Sequence, residues 1–244
     1  MRILSWNIRH GGKSKSGEIV TAVVAHEPDI VLLCEYRASS TNVKLGLQSA
    51  GFIFMHESLA PEYKNGLMIA SRFPISISAG QFNTVTLSHQ GAEIHVLGRD
   101  VAILFVHIPA GGSSSKSPQT KLKLEFWNAV IEYANNHADS KALIIGDYNT
   151  GFKTDAQGVP FTLANKMDEL CDAGWVDAWR KCHPDAQEYT WYCKRRDGGL
   201  NGFRLDHAFA AQSLSGSIKR ADYSHSERLA GVSDHSMLIV DVAD

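Results

Sequence analysis

Polar and ionisable residues close one apolar run after another along this chain, and that pattern limits the folds open to it. Ile3-Leu4 leads into Ser5-Trp6-Asn7, and Asp29-Ile30-Val31-Leu32-Leu33-Cys34 delivers Glu35. Leu143-Ile144-Ile145 runs into Gly146-Asp147-Tyr148-Asn149, Asp206 precedes Ala208-Phe209-Ala210, and Asp234-His235 precede Met237-Leu238-Ile239-Val240. Short runs of this kind read as buried strands. Carboxylates, amides and imidazoles gathered at strand ends are what metal-assisted phosphoester cleavage requires.

Strands are predicted over Arg2–Trp6, Ile30–Cys34, Phe52–His56, Gly66–Ser71, Glu93–Leu97, Val101–His107, Ala142–Gly146, Asp206–Ala210 and Met237–Asp241. Helices are predicted over Gly17–Ala25, Thr41–Ala50, Gln119–Asn136 and Pro160–Ala173. In the third of these, Leu122, Leu124, Phe126, Trp127, Val130 and Ile131 supply an apolar stripe. Early strands alternate with helices, whereas 52–107 reads as a meander. The mixture predicts sheets packed face to face with helices outside, a layered α/β sandwich rather than a βαβ barrel. Two segments read as loops by composition: 111–118, rich in Gly and Ser, and 194–202, with Lys194, Arg195, Arg196 and three glycines.

No Pro-rich, Gly/Ser-rich or single-charge linker divides the 244 residues, so one domain over 1–244 is expected. The net charge of −2 does not advertise a nucleic-acid binder. It does not exclude one either, because a bound divalent cation reverses the sign of a carboxylate site. Cys34, Cys171, Cys182 and Cys193 form no CxxC or Cys-His cluster, which argues against zinc and gives no disulfide framework. The chain opens directly on a strand, with no signal peptide and no run long enough to cross a bilayer, so a cytoplasmic protein with no membrane partner is expected.

Glu35 is a hard oxygen donor suited to Mg2+, with Asn7 supplying a carbonyl oxygen or holding that carboxylate in place. Period-two alternation puts Asp147 and Asn149 on one side of an extended segment, where they can orient an attacking water and bind a phosphoryl oxygen. A turn-forming Asx pair is the plain alternative. His235, oriented by Asp206, gains a fixed tautomer and a raised pKa, while Asp234 faces the metal side. His107 touches the scissile phosphate or caps its strand. The remaining histidines, for example His26 and His137, read as surface residues. Tyr189-Thr190-Trp191-Tyr192 and Phe203, interleaved with Arg195, Arg196 and Arg204, suit stacking on a sugar or base while cations hold backbone phosphates.

Taken together, Trp6-Asn7, Glu35, Gly146-Asp147-Tyr148-Asn149, Asp206 and Ser233-Asp234-His235 resemble, in order and spacing, the endonuclease/exonuclease/phosphatase superfamily over nearly the whole chain. Gly174-Trp175-Val176-Asp177-Ala178-Trp179-Arg180, Tyr189-Thr190-Trp191-Tyr192 and Gly202-Phe203-Arg204-Leu205-Asp206 look like the exonuclease III type of abasic-site endonuclease. That resemblance implies a DNase I-like four-layer α/β sandwich, two packed mixed sheets flanked by helices. It also implies dependence on Mg2+ or Mn2+, and cleavage 5′ to an abasic site in DNA, with 3′ exonuclease or 3′ phosphatase activity. Trp191 and Phe203 fall where that type lines its abasic-sugar pocket. The chain departs from the type at Arg9, at His107 where a tyrosine is usual, at Ala110 where an amide is usual, and at Cys34-Glu35-Tyr36-Arg37.

The expected chemistry is that of a divalent-metal phosphodiesterase acting on DNA as a repair nuclease. Glu35, Asn7 and Asp234 hold the metal, Asp147 positions water, Asn149 and His235 take the developing charge, Asp206 orients His235, and His107 lies at the phosphate. The alternative is a phosphoesterase on a phospholipid, sugar phosphate or nucleotide, favoured by the charge balance and His107. A noncatalytic DNA-binding relative would have lost part of this set. No protein partner is inferable.

Overall fold

The structure, a computed structural model, describes residues 1–243 apart from Leu59, Glu62, Ala79 and Ser113. In chain order it begins with β1 (Arg2–Asn7), α1 (Ser16–Ala25), β2 (Ile30–Tyr36), α2 (Thr41–Ser49), β3 (Phe54–Glu57), β4 (Gly66–Ser71), β5 (Ile75–Ser78), β6 (Gly91–Val96) and β7 (Ala102–His107). It continues with α3 (Pro118–Asn136), β8 (Ala142–Asp147), α4 (Asn165–Asp172), β9 (Trp175–Asp177), α5 (Ala178–Cys182), β10 (Trp191–Lys194) and β11 (Leu200–Phe203). Last come β12 (Asp206–Ala211), α6 (Gln212–Ser215), β13 (Ile218–Ser224), α7 (Ser226–Leu229) and β14 (Met237–Val242).

These strands form two six-stranded mixed sheets, ordered β13-β14-β1-β2-β4-β3 and β5-β6-β7-β8-β12-β9, and a β10-β11 hairpin. Each sheet is built around one parallel pair, β1 with β2 and β7 with β8, and antiparallel strands flank both pairs. A parallel pair needs a crossover, and α1 and α3 supply one to each sheet. The two halves therefore repeat a β-α-β plan that no short sequence period reveals.

Alternation along the strands makes three apolar layers. Ile3, Ile30, Leu32, Ile69, Ile103, Phe105, Leu143, Ile145, Ala208 and Val240 fill the space between the sheets. Leu4, Trp6, Val31 and Leu33 point the other way, onto Ile19 and Val23 of α1 and Val43 and Leu47 of α2. Val106, Ile144 and Phe209 likewise meet Phe126, Trp127, Val130 and Tyr133 of α3, with Met167 and Leu170 of α4 beside them. The result is helix, sheet, sheet, helix. No described helix is long and apolar enough to cross a membrane.

Helix α3 starts where Ser117 caps it, its Oγ accepting from Thr120 N at 3.1 Å, with Pro118 in the first turn. The predicted loop before it is present, with Ser113 outside the described residues. The apolar stripe expected on α3 is shifted. Phe126, Trp127 and Val130 are buried, but Leu124 is exposed and Lys123 takes an inward position with no exposed surface. The face through 120, 123, 126, 127, 130 and 134 obeys helical spacing, so geometry placed the lysine inside.

Five strands went unpredicted: β5, β9, β10, β11 and β13. β5 alternates serine with isoleucine and β13 carries Lys219, Arg220 and Asp222, compositions that read as surface. The supposed loop 194–202 is in fact the turn and second strand of the β10-β11 hairpin.

Helix α7 ties the end of the chain to α1 through Glu227, whose carboxylate lies 3.0 Å from His26 Nε2 and accepts from Ser224 Oγ at 2.7 Å. Burial works against this charge, but the hydrogen bonds from His26 and Ser224 outweigh it and lower the carboxyl from its ordinary 4.5 to about 2. A depressed carboxyl contributes its full stability above pH 4.5 and loses it as pH falls toward 2. Glu227→Gln is therefore expected to cost about 1–2 kcal/mol at pH 7 in urea unfolding, after allowance for partial solvent screening. The gap to the wild type should narrow as pH falls below 4.5 and close only near pH 2, and a gap independent of pH would refute this account.

Candidate active site

Four inward-facing rows of apolar residues end in a polar one at the same edge of the sandwich. Counting by twos from Ile3 reaches Asn7, from Ile103 reaches His107, from Leu143 reaches Asp147, and from Ala210 back along β12 reaches Asp206. Register makes neighbours of these residues, since Asp147 pairs with His107 on one side and Asp206 on the other. Asn7 faces them from the opposite sheet and donates from Nδ2 to Asp147 Oδ2 at 2.8 Å and to Glu35 Oε1 at 3.3 Å. Its own Oδ1 accepts from Arg9 N at 2.9 Å. Asn7 thus hydrogen-bonds two carboxylates at once.

Gly146 is what lets Asp147 arrive there. Its φ of +148° lies outside ordinary L-residue territory, and a Cβ at this position would sit 1.9 Å from Val106 O in the neighbouring parallel strand. Beyond Asp147 the chain does not stay extended. Asn149 adopts φ +45°, and its backbone N donates to Asp147 Oδ1 at 2.8 Å. The Asx turn weighed as an alternative therefore forms, and it keeps Asn149 at the site. The Asn149 amide donates to Ile108 O at 3.0 Å and approaches Asp147 Oδ2 at 3.4 Å.

His235 is placed by Ser233 and Trp6. Ser233 Oγ donates to Asn7 O at 2.6 Å and accepts from His235 N at 3.2 Å, and Trp6 Nε1 donates to His235 O at 3.0 Å. His235 Nδ1 lies 3.0 Å from Asp206 Oδ2, and its Nε2 lies 4.0 Å from Asp147 Oδ2. Burial disfavours a charged imidazole here, but the Asp206 and Asp147 charges outweigh it and raise the pKa, so His235 is imidazolium at neutral pH. Thr190, fully buried and not anticipated, receives Leu205 N and Asp206 N on its Oγ1 at 3.0 and 3.3 Å and so fixes the start of β12. His107 Nε2 is 3.8 Å from Asp147 Oδ2, and its buried Nδ1 has no partner among the described residues.

Glu35 was expected at a strand end. It stands one residue inside β2, at a register shift between Cys34 and Tyr36, with φ +55°. A bulge of this kind turns a side chain away from its alternating face. The residues from Arg9 to Lys13 all have positive φ, a strained path that brings His10 N to Glu35 Oε2 at 2.8 Å and His10 Nδ1 to the same oxygen at 2.9 Å. Asp234 is partly exposed and lies 3.6 Å from Arg9 Nε.

Trp191 and Phe203 are paired across the hairpin, with ring centres 6.1 Å apart. Phe161, which the sequence did not single out, packs edge-on against both at 6.1 and 5.1 Å. Trp191 is half-buried, and its ring centre is 6.4 Å from that of His235, so an aromatic wall adjoins the carboxylate cluster. Phe203 is the buried base of that wall. Arg195 and Arg196 are exposed on the hairpin turn, with Arg195 on Asp197. Four or five residues of strand from Trp191 place them on the order of 13–16 Å away from it.

Two expectations are corrected. Arg204 cannot hold a backbone phosphate: it has no exposed surface and pairs with Asp155 and Asp177 beneath the hairpin. The remaining histidines are not all superficial. His207 is fully buried behind Thr150 and Arg204 carbonyls, His26 binds Glu227, and His137 stacks on Tyr133 at 3.9 Å.

The architecture is that of a DNase I-like four-layer sandwich, with its polar site at the strand ends. The profile of the endonuclease/exonuclease/phosphatase family matches residues 4–235, and the chain belongs to that family. A DNA-(apurinic or apyrimidinic site) endonuclease of Dictyostelium discoideum is 23% identical over 252 residues, covering 96% of this chain and 68% of that protein. An AP endonuclease structure from Archaeoglobus fulgidus superposes with a TM-score of 0.85 at 21% identity, over 99% of each chain. A 3′ phosphatase from Neisseria bound to product DNA hairpin gives 0.82 at 20% identity over both whole chains. Membership of the family indicates a hydrolase of the nuclease or phosphatase kind.

Proposed function

We propose that this chain is a divalent-cation-dependent phosphodiesterase acting on DNA, an abasic-site endonuclease with 3′ exonuclease or 3′ phosphatase activity. The observation that carries the chemistry is the convergence of Asn7, Asp147, Asp206 and His235 at one edge of both sheets. The DNA substrate is supported by what the similar proteins are named for, and by an aromatic wall beside His235.

The donor set suits a hard divalent cation. Asp147, Asp206 and His235 have ligand atoms within 4.8 Å of one another, but a protonated His235 has no lone pair to give a cation and cancels one of the two carboxylate charges. Glu35, with partly exposed Asp234 as the other carboxylate, is the oxygen donor that would hold the ion, and Asn7 would hold Glu35. Once bound, the cation supplies Lewis-acid stabilisation of a nonbridging phosphate oxygen and of the leaving oxygen. Asp147 has one carboxylate face tied by Asn149 N and the other shared with Asn7. It is thereby held in position to orient water for in-line attack. The His235 proton, retained by Asp206, faces the charge that develops on the phosphoryl group, and the Asn149 amide lies beside it.

The test is cleavage of a 5′-labelled duplex with one abasic-site analogue, with Mg2+ or Mn2+ and with EDTA. Incision 5′ to the lesion that EDTA abolishes is expected. Metal-dependent hydrolysis of a generic phosphodiester without incision of the duplex would move the substrate to a lipid, sugar phosphate or nucleotide. Trp191→Ala should raise KM for the abasic duplex by roughly tenfold, in line with about 1–3 kcal/mol for a stacked base. An unchanged KM would make the wall mere packing.

A further inference from the structure

Lys123 stands outside the chemistry described so far, and its surroundings are unusual for a lysine. Its side chain is wholly buried, and among the described residues it pairs with no carboxylate. Nζ donates to Asn149 O at 2.7 Å and to Ala110 O at 3.4 Å, and it lies 5.8 Å from the centre of the Phe161 ring. Those three contacts belong to three parts of the site: the turn after β8, the segment after His107, and the aromatic wall. Gly111 makes room for the stem, since a Cβ there would lie 3.0 Å from Lys123 Cδ.

We propose that Lys123 is a positioning residue for phosphodiester cleavage, holding Asn149 in its left-handed conformation from beneath and locking the turn that carries Asn149 to the aromatic wall. The inference deepens the proposed function and rests on it for its kinetic consequence. The physical argument is a balance of costs. A buried ammonium is expensive, and burial brings this one down to about 7 although the Asp147 charge opposes the shift. A left-handed asparagine is a second cost. The lysine offsets both by donating to the carbonyl of the strained residue, and an apolar side chain of equal length would leave that carbonyl buried without its donor. Because Lys123 acts through the backbone of Asn149, its loss should disturb the geometry of the turn while leaving the outer surface that meets substrate intact.

Lys123→Met and Lys123→Gln test this in the full chain, with kcat and KM on the abasic duplex and amide hydrogen exchange at Asn149 measured together. Lys123→Met should lose roughly tenfold to a hundredfold in kcat, the scale of a misplaced catalytic group, with KM within about twofold. Lys123→Gln, which keeps a donor, should fall between the two, and it decides the matter if the methionine variant does not fold. Exchange at the Asn149 amide should accelerate in Lys123→Met while Ile144 and Ile145 keep their wild-type rates. Wild-type kcat in the methionine variant, or acceleration spread equally along β8, would overturn the proposal. Should the wild type cleave no phosphodiester at all, the proposed function falls, and the exchange comparison still decides the role of Lys123.

Discussion

Asp147→Asn is expected to lower the rate of phosphodiester cleavage by roughly a thousandfold, about 4 kcal/mol of barrier, while the variant melts cooperatively. The substitution is isosteric, and the amide oxygen still accepts from Asn149 N, the bond that shapes the turn. What goes is the charge, and with it the acceptor for Asn7, because Oδ2 is replaced by an NH2 that faces the Asn7 amide. Asp147 is one of the two carboxylates that keep the His235 proton in place, so its loss also brings the imidazole pKa back down. Single-turnover kinetics on an abasic duplex checks the rate, and circular dichroism checks the fold. A variant with a tenth or more of wild-type activity would remove Asp147 from the role of orienting water.

The second large effect is on stability. Arg204 donates from Nε to Asp155 Oδ2 at 2.8 Å and from Nη2 to Asp177 Oδ2 at 2.7 Å, and its guanidinium lies 4.8 Å from the Trp179 ring. Arg180 completes the cluster by binding the other oxygen of Asp155 at 2.8 Å. Arg204→Met keeps the length and removes the charge, leaving two buried carboxylates with only Arg180 and His207 nearby. Breaking one side of a buried ion pair costs about 3–5 kcal/mol. The sign with pH follows from Asp177, which is held far below its ordinary value by Arg204 and His207 against the opposing effect of burial. Such a group stabilises the fold above about pH 4 and loses that contribution as pH falls. The deficit in urea unfolding should therefore hold from pH 7.5 to about pH 4 and shrink as pH falls below that. A deficit that stays constant below about pH 4 would mean that packing on Trp179, rather than charge, is what Arg204 supplies.

Much of the site was legible because it obeys the period of a strand. Asn7, His107, Asp147 and Asp206 each continue an inward apolar row, and two-residue alternation identifies them without coordinates. His235 was legible through its neighbour Asp234 and the run that follows. Glu35 was expected to end its strand and instead lies one residue inside it, since a bulge cannot be read from composition. What failed were features set by partners distant in sequence. Arg204 looks like a surface cation beside other cations, and only the arrival of Asp155 and Asp177 makes it a buried one. Lys123 was hidden inside an apolar stripe that seemed to explain itself through Leu122 and Leu124. Phe161 is an ordinary residue in an ordinary stretch, and Thr190 drew notice only as a member of an aromatic run; the value of both comes from which rings and amides the fold brings to them. Strands β5 and β13 lie at sheet edges, where half-solvated composition blurs the signal.

The bond from Asn7 to Asp147 spans the two sheets, so the spacing between them is also a dimension of the reacting centre. Residues such as Leu32 and Phe105, which never approach a phosphate, set that spacing by their volume. Core drift in this protein is therefore answerable to turnover as well as to melting temperature. A cavity opened between the sheets would be felt first as a slow enzyme, before it was felt as an unstable one.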